Sequence, residues 1–105
     1  MTRNITIWQL PITNKLCFRP VNYNSVDIRN YVLVYSFEED VDEKDINAYL
    51  EELYGRFNIN EPADYHARSM SISDLILYRN TEKNEYVGYV VDLTGFKKIK
   101  VTGLS

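Results

Sequence analysis

The sequence predicts an α+β domain in which one main helix packs on a small antiparallel sheet of about five strands. Several short segments alternate between apolar and polar side chains, and one longer segment repeats its apolar residues at three- and four-residue steps. The composition, with 45% hydrophobic and 13% aromatic residues, is rich enough to build a core. Because 105 residues is a common size for one domain, we assign residues 1–105 to a single domain.

The first predicted strand covers residues 3–10. Its side chains alternate, so that Ile5, Ile7 and Gln9 face one side of the sheet. Pro11 is expected to end the strand, because proline cannot donate a backbone hydrogen bond to the sheet.

A short helical turn and a second strand follow. Ser25 is a suitable N-cap for a turn over residues 26–30, which places a short helical element near residues 25–30. Residues 31–37 are rich in β-branched and aromatic side chains, so they predict a well-buried strand.

The main helix is predicted over about residues 43–54. Asp42 is a suitable N-cap, and acidic residues in the first turn favour the positive end of the helix dipole. Gly55 is expected to end the helix. The apolar residues that would face the sheet are Ile46, Tyr49, Leu50, Leu53 and Phe57.

The last part of the chain predicts a three-stranded meander. Strands are expected at residues 75–79, 85–92 and 96–101, after a loop over residues 58–68. The polar segment 80–84 connects the first two of these strands, and a turn at Thr94 and Gly95 connects the last two.

The acidic residues are concentrated in one part of the chain. The formal net charge is −3, but residues 38–52 contain eight acidic residues and one lysine. One interpretation is a solvated helix face. The other is a surface that binds a basic protein. In the second interpretation the partner-binding candidates are Glu38, Glu39, Asp40, Asp42, Glu43 and Asp45.

The sequence offers few residues for catalysis. Cys17 and His66 are the only cysteine and histidine, which is too few for a zinc site of four such ligands. The four glycines are too far apart to form a phosphate-binding loop. We therefore expect no enzyme activity, catalytic residue, metal or cofactor. We also expect no membrane span and a cytoplasmic location.

The second half of the chain resembles the YodL-like domain family. The resemblance rests on NEPAD at residues 60–64, SMSISD at 69–74 and YVVDLTGFKKI at 89–99. ITIWQL near the start and RFNI at the end of the helical segment also fit. The family motif corresponds here to Ser69, Ser71, Ser73, Asp74, Tyr89, Asp92, Gly95, Phe96 and Lys97.

One position departs from the family pattern. Family members usually carry a Gly-His pair before the serine segment, where this chain has Ala67 and Arg68. The serine segment also has a structural interpretation, in which Asp74 accepts hydrogen bonds from backbone N–H groups at the start of a strand. Gly95 is expected to adopt a conformation that favours glycine, so that Phe96 can turn into the core.

The resemblance implies an accessory protein of a mobile genetic element from Gram-positive bacteria. It favours a non-catalytic inhibitor of a host defence nuclease, of anti-CRISPR or antirestriction type, whose acidic residues occupy a basic nucleic-acid channel. The alternative is a nucleic-acid-binding or regulatory module of the element, in which Lys97 and Lys98 make the contacts.

Overall fold

The protein has an α+β fold in which one main helix packs on a six-stranded mixed sheet. A computed structural model describes residues 2–80 and 82–104, so Thr81 of the predicted 80–84 turn and both ends of the predicted domain lie outside the described residues. The sheet order is β2-β6-β5-β4-β1-β3. The elements are β1 (Thr2–Gln9), β2 (Ser25–Asp27), β3 (Val32–Asp40), α1 (Ile46–Ile59), β4 (Leu75–Asn80), β5 (Glu85–Val91) and β6 (Phe96–Thr102).

The additional strand, β2, corrects two predictions. All five strands predicted from the sequence are present, although the prediction that residues 31–37 are well buried is wrong: β3 is an edge strand, with Val32 and Leu33 exposed. The sheet also has a sixth strand, β2, which pairs with β6 in a parallel sense while the other pairs are antiparallel. The predicted turn over 26–30 is reduced to a 3₁₀ turn at Ile28–Asn30, and Asp27, not Ser25, caps it. The pairing of Val26 with Val101 buries Val26, and this contact between distant segments outweighs the local helical preference.

The bounds of α1 also differ from the prediction. Glu43–Asp45 form a 3₁₀ turn, and the helix continues past Gly55 to Ile59. A glycine inside a helix costs about 1 kcal/mol relative to alanine, whereas burying a phenylalanine side chain contributes about 1.5–3 kcal/mol. Because Phe57 is completely buried, extending the helix by another turn is favourable. Across the described residues, no helix is long and apolar enough to cross a membrane.

The sheet is covered on both faces. On one face α1 packs through Leu50, Leu53 and Phe57 against Ile5 and other strand residues, and these four side chains are fully buried. Ile46 is half-buried at the edge of the same cluster. The other face is covered by the irregular chain between β1 and β3, whose buried apolar side chains are Leu10, Cys17, Val21, Val26, Ile28 and Tyr31. This second layer contacts the loops of the second half of the chain, since the N–H groups of Phe18 and Val21 donate to the side chains of Ser73 and Asp92.

Candidate partner-binding surface

The six acidic candidates lie along one continuous stretch at the end of β3 and in the 3₁₀ turn before α1. We call this stretch the acidic surface; it consists of Glu38, Glu39, Asp40, Asp42, Glu43 and Asp45. Five of these residues are exposed and Glu39 is half-buried. Glu38, Glu39 and Asp40 lie at the end of β3, and Asp42, Glu43 and Asp45 lie in the 3₁₀ turn or cap it. The residues that cluster in the sequence are therefore also close in space.

Glu39 is held by contacts within the protein. Its carboxylate accepts two hydrogen bonds from Arg56, at 2.9 and 3.2 Å, and one from the Tyr49 hydroxyl at 2.5 Å. Burial and the neighbouring Glu39 both raise the pKa of Tyr49, so this phenol stays protonated and remains a donor. Glu39 therefore connects the end of β3 to α1.

Glu43 makes a second internal network. It accepts hydrogen bonds from the Arg3 guanidinium at 3.5 Å, the Tyr78 hydroxyl at 3.4 Å and the Asn80 side-chain amide at 3.3 Å. Burial and then the charge of Glu43 raise the pKa of Tyr78. The sequence predicted Glu39 and Glu43 either as part of a solvated face or as partner-binding residues; the internal partners of Glu43 were not predicted because they lie 35–40 residues away in the chain.

Asp42 and Asp45 act as caps. Asp42 accepts hydrogen bonds from the N–H groups of Lys44 and Asp45, both at 3.2 Å, and caps the 3₁₀ turn. Asp45 accepts one from the N–H of Ala48 at 3.4 Å and caps α1. Both carboxylates remain exposed while they cap, so each can face a partner without losing its structural role.

Glu38 differs from these four residues. Within residues 2–80 and 82–104, no side-chain hydrogen bond or ion pair involves Glu38, which is exposed opposite Asn4 of β1. Along β3 it alternates with Phe37 and Glu39, so it points to the sheet face away from α1. The acidic surface thus wraps around the edge of the sheet.

The motif residue Asp74 is completely buried at the other end of the sheet. One carboxylate oxygen accepts hydrogen bonds from the N–H of Ser71 and the side chain of Gln9, both at 3.0 Å, and Arg68 lies 3.8 Å from the other oxygen. Burial raises the pKa of Asp74 to about 6, against the lowering effect of these three neighbours. The predicted hydrogen bond from a backbone N–H to Asp74 is confirmed.

Ser73 connects three segments of the chain. Its hydroxyl oxygen accepts a hydrogen bond from the N–H of Phe18 at 3.1 Å, and its carbonyl accepts one from the Tyr31 hydroxyl at 3.2 Å. Its own N–H donates to the carbonyl of Val91 at 2.9 Å. Ser69, by contrast, is exposed and donates to Glu61 at 3.2 Å. The buried half of the serine segment therefore fastens the loop that covers the sheet.

Asp92 and Gly95 form the turn between β5 and β6. One carboxylate oxygen of Asp92 accepts hydrogen bonds from the N–H groups of Val21 and Leu93, at 3.0 and 2.8 Å, and these hold the pKa of Asp92 below its usual range. The N–H of Asp92 donates to the carbonyl of Gly95 at 3.0 Å. Gly95 has φ of +81°, the left-handed conformation that favours glycine.

The remaining motif residues lie on the strands beside this turn. Phe96 is half-buried and contacts the ring of Tyr54 on α1, with the ring centroids 6.5 Å apart. Tyr89 and Lys97 are also half-buried, and Tyr89 packs against the core below α1. The motif thus joins the β5–β6 turn to both covering layers.

The geometry does not assemble the residues that were considered for catalysis. Cys17 is buried, and its sulfur lies 3.7 Å from the Leu10 carbonyl and 3.5 Å from Arg68. His66 is exposed on the loop after α1, and in the part of the chain that the structure describes no hydrogen bond joins it to Cys17. The same residues contain no group of three or more histidine, cysteine, aspartate or glutamate side chains that could hold a metal ion.

Two residues at Asp74 were not predicted as site residues, Gln9 and Arg68. Gln9 was placed with Ile5 and Ile7 on the buried side of β1, and a polar side chain in such a pattern requires a buried partner. Arg68 was noted only as a departure from the family pattern. Its guanidinium also donates to the Leu10 carbonyl at 2.7 Å and lies 5.0 Å from the Phe18 ring centroid.

Comparison with known proteins identifies the family. The family model of the YodL-like domain matches residues 4–101, which contain β2 to β5 and the helix completely and most of β1 and β6. No curated protein and no solved structure matches the chain. Because the match covers nearly the whole chain, the protein belongs to the family of YodL-like domains.

Proposed function

We propose that this YodL-like domain is a non-catalytic accessory protein of a mobile genetic element that binds and inhibits a host defence nuclease in the cytoplasm. The inhibitor would be of anti-CRISPR or antirestriction type. Its target would be a CRISPR or restriction nuclease with a basic channel for nucleic acid. Inhibition of this kind requires a rigid surface of complementary charge and no active site.

The observation that carries the proposal is the acidic surface. Four of its carboxylates, those of Glu39, Asp42, Glu43 and Asp45, accept hydrogen bonds within the protein, so these four positions are held before a partner binds. A preorganised charged surface loses little side-chain entropy on association and increases the association rate with a basic partner. Nucleic-acid-binding channels are basic for the same electrostatic reason.

The test is a nuclease-inhibition assay with a variant that removes charge and keeps the fold. Glu38→Gln, Asp42→Asn and Asp45→Asn together remove three negative charges, and asparagine retains the capping acceptor at positions 42 and 45. Against a panel of purified guide-directed and restriction nucleases, the wild type should inhibit at least one. The triple variant should require about tenfold more protein for the same inhibition, since each exposed ion pair contributes about 0.2–1 kcal/mol.

The matched control removes the same number of charges elsewhere. Asp27→Asn, Glu61→Gln and Asp64→Asn are exposed or half-buried positions outside the acidic surface, and the combined variant has the same net charge as the first. It should inhibit as well as the wild type and show the same salt dependence. Equal inhibition by both triple variants would exclude the acidic surface as the contact, and failure of the wild type against every nuclease would contradict the proposed function.

Nucleic-acid binding is the second candidate function, and a cleft on the sheet face away from α1 favours it. The cleft has a volume of about 360 Å³ and is lined by Asn4, Thr6, Trp8, Arg79 and Tyr86, among others. Tyr86 is 52% exposed, and the central guanidinium carbon of Arg79 lies 6.0 Å from the centroid of its ring. An exposed aromatic ring beside a cation suits stacking of an unpaired base.

A gel-shift assay with single-stranded DNA and RNA distinguishes the two functions. If the domain binds nucleic acid directly, Tyr86→Ala should weaken binding about tenfold, and the acidic-surface variant should bind at least as tightly as the wild type. Lys97→Ala and Lys98→Ala test the contacts expected from the sequence. Absence of a shift at low salt would eliminate this second function.

A further inference from the structure

The groove between α1 and the β5–β6 turn is an unassigned site beside the motif residues. We propose that it receives one arginine side chain of the basic partner, an inference that rests on the proposed function. The groove has a volume of about 310 Å³. Its lining includes Glu51, Tyr54, Ile72, Asp92, Leu93 and Phe96. Glu51 and Tyr54 come from α1 and the others from the two motif segments, which are separate from α1 in the sequence.

The apolar part of the groove suits the aliphatic stem and the flat head of an arginine. Tyr54 is 39% exposed and Leu93 is 64% exposed, while Ile72 and Phe96 are half-buried below them. A guanidinium group is planar and stacks on aromatic faces, and its three methylene groups can cover apolar surface. A groove this apolar would not select a small, fully hydrated cation.

The charge in the groove is negative. Glu51 is exposed on α1, and Asp92 is half-buried across from it in the turn. One oxygen of Asp92 accepts the two backbone hydrogen bonds from Val21 and Leu93; within the described residues, no hydrogen bond reaches its second oxygen. That oxygen is held in a fixed position and is available as an acceptor.

Arginine fits this arrangement better than lysine. Its five N–H donors form a rigid fork that can bind two carboxylates while the plane of the group rests on a ring. The charge of Lys97 acts on Asp92, but among the described residues no hydrogen bond joins the two side chains. Lys97 therefore does not occupy the second carboxylate oxygen of Asp92, which can accept hydrogen bonds from an arginine.

The experiment is an NMR titration of the ¹⁵N-labelled wild-type protein with acetyl-arginine methylamide in the millimolar range. Acetyl-citrulline methylamide is the matched probe, because it has the same shape without the charge. The arginine probe should shift the amide signals of Tyr54, Leu93 and Gly95, and the citrulline probe should bind them about three- to fivefold more weakly. Equal affinity for the two probes, or shifts confined to other surfaces, would overturn the proposal.

Three variants locate the contact. Glu51→Gln should raise the dissociation constant of the arginine probe about three- to fivefold. Tyr54→Leu keeps an apolar helix residue and removes the ring, and it should raise the constant about two- to fivefold. Glu85→Gln, an exposed acid at the other end of β5, should leave it unchanged. If neither Glu51→Gln nor Tyr54→Leu changes the constant, the groove does not bind the guanidinium.

Different results would contradict the groove proposal and the proposed function. If a nuclease is inhibited equally well by the wild type, Glu51→Gln and Tyr54→Leu, the groove proposal is overturned and the function stands. If the arginine probe binds in the groove but no nuclease is inhibited, the function fails and the groove remains an arginine site.

Discussion

Replacing Asp74 with asparagine should stabilise the domain, relative to the wild type, more at neutral pH than at acidic pH. Asp74 is 0% exposed, and its pKa in the folded protein is about 6, against an ordinary value of 3.8. Between these two values the folded state binds more protons than the unfolded state, so the free energy of unfolding falls as the pH rises. The contribution of Asp74 to the free energy of unfolding is fully present below pH 3.8 and is lost by about pH 6. At about 1.4 kcal/mol per pH unit, the loss is about 3 kcal/mol.

The measurement is urea unfolding of both proteins at about pH 4 and about pH 7.5, followed by fluorescence of Trp8, the single tryptophan. Asparagine keeps an oxygen that can accept from Ser71 and Gln9, so the comparison isolates the charge. Other titrating groups, such as Asp27 and Asp92, contribute equally to both proteins at each pH. The difference in unfolding free energy between variant and wild type should grow by about 2.5 kcal/mol from the lower to the higher pH, because about 0.5 kcal/mol of the total is already lost at about pH 4. A difference that stays constant within about 0.5 kcal/mol would refute the reasoning.

Three substitutions test the fold. Gly55→Ala should raise the free energy of unfolding by about 0.5–1 kcal/mol, because Gly55 lies inside α1 and a Cβ there meets no atom within 4 Å; a loss of stability would contradict the helix continuing through it. Leu50→Ala should lower it by about 2–5 kcal/mol, and a loss below about 0.5 kcal/mol would mean that α1 is not docked through this residue. Gly95→Val should lower it by about 1–2 kcal/mol through strain at positive φ alone, since the space around Gly95 is open; an unchanged melting midpoint would show that the turn relaxes.

The elements that could be predicted from the sequence are those with a complete local pattern. Alternation in β1 and the three-to-four-residue repeat of α1 each fit within one segment, so both elements were found. β2 was missed because it has three residues and exists only through its pairing with β6. The end of α1 was misplaced because the burial of Phe57, which decides it, depends on aromatic neighbours in β3 and the 60–74 loop.

The candidate site was predicted as a set of residues, but their individual roles were not. The acidic residues are adjacent in sequence, so their clustering was visible. The partners that occupy Glu39 and Glu43 are Arg56, Tyr78 and Arg3, which approach only when the sheet and helix are assembled. For the same reason the sequence did not reveal that Glu51 and Asp92 line one groove.

The position of β1 and β2 in the sheet determines the order in which this chain can fold. β1 lies between β3 and β4, and β2 lies at the edge of the sheet and pairs with β6, which spans Phe96–Thr102. Within the first half of the chain β1 can pair with β3, but the pairings of β1 with β4 and of β2 with β6 must wait until the second half has been made. Long loops must close before these pairings contribute stability, so we expect the sheet to form late and slowly compared with a helical protein of this size. During synthesis the edge of β1 that pairs with β4 stays unpaired until residues 75–80 have been made, and an unpaired strand edge is a site for aggregation or chaperone binding.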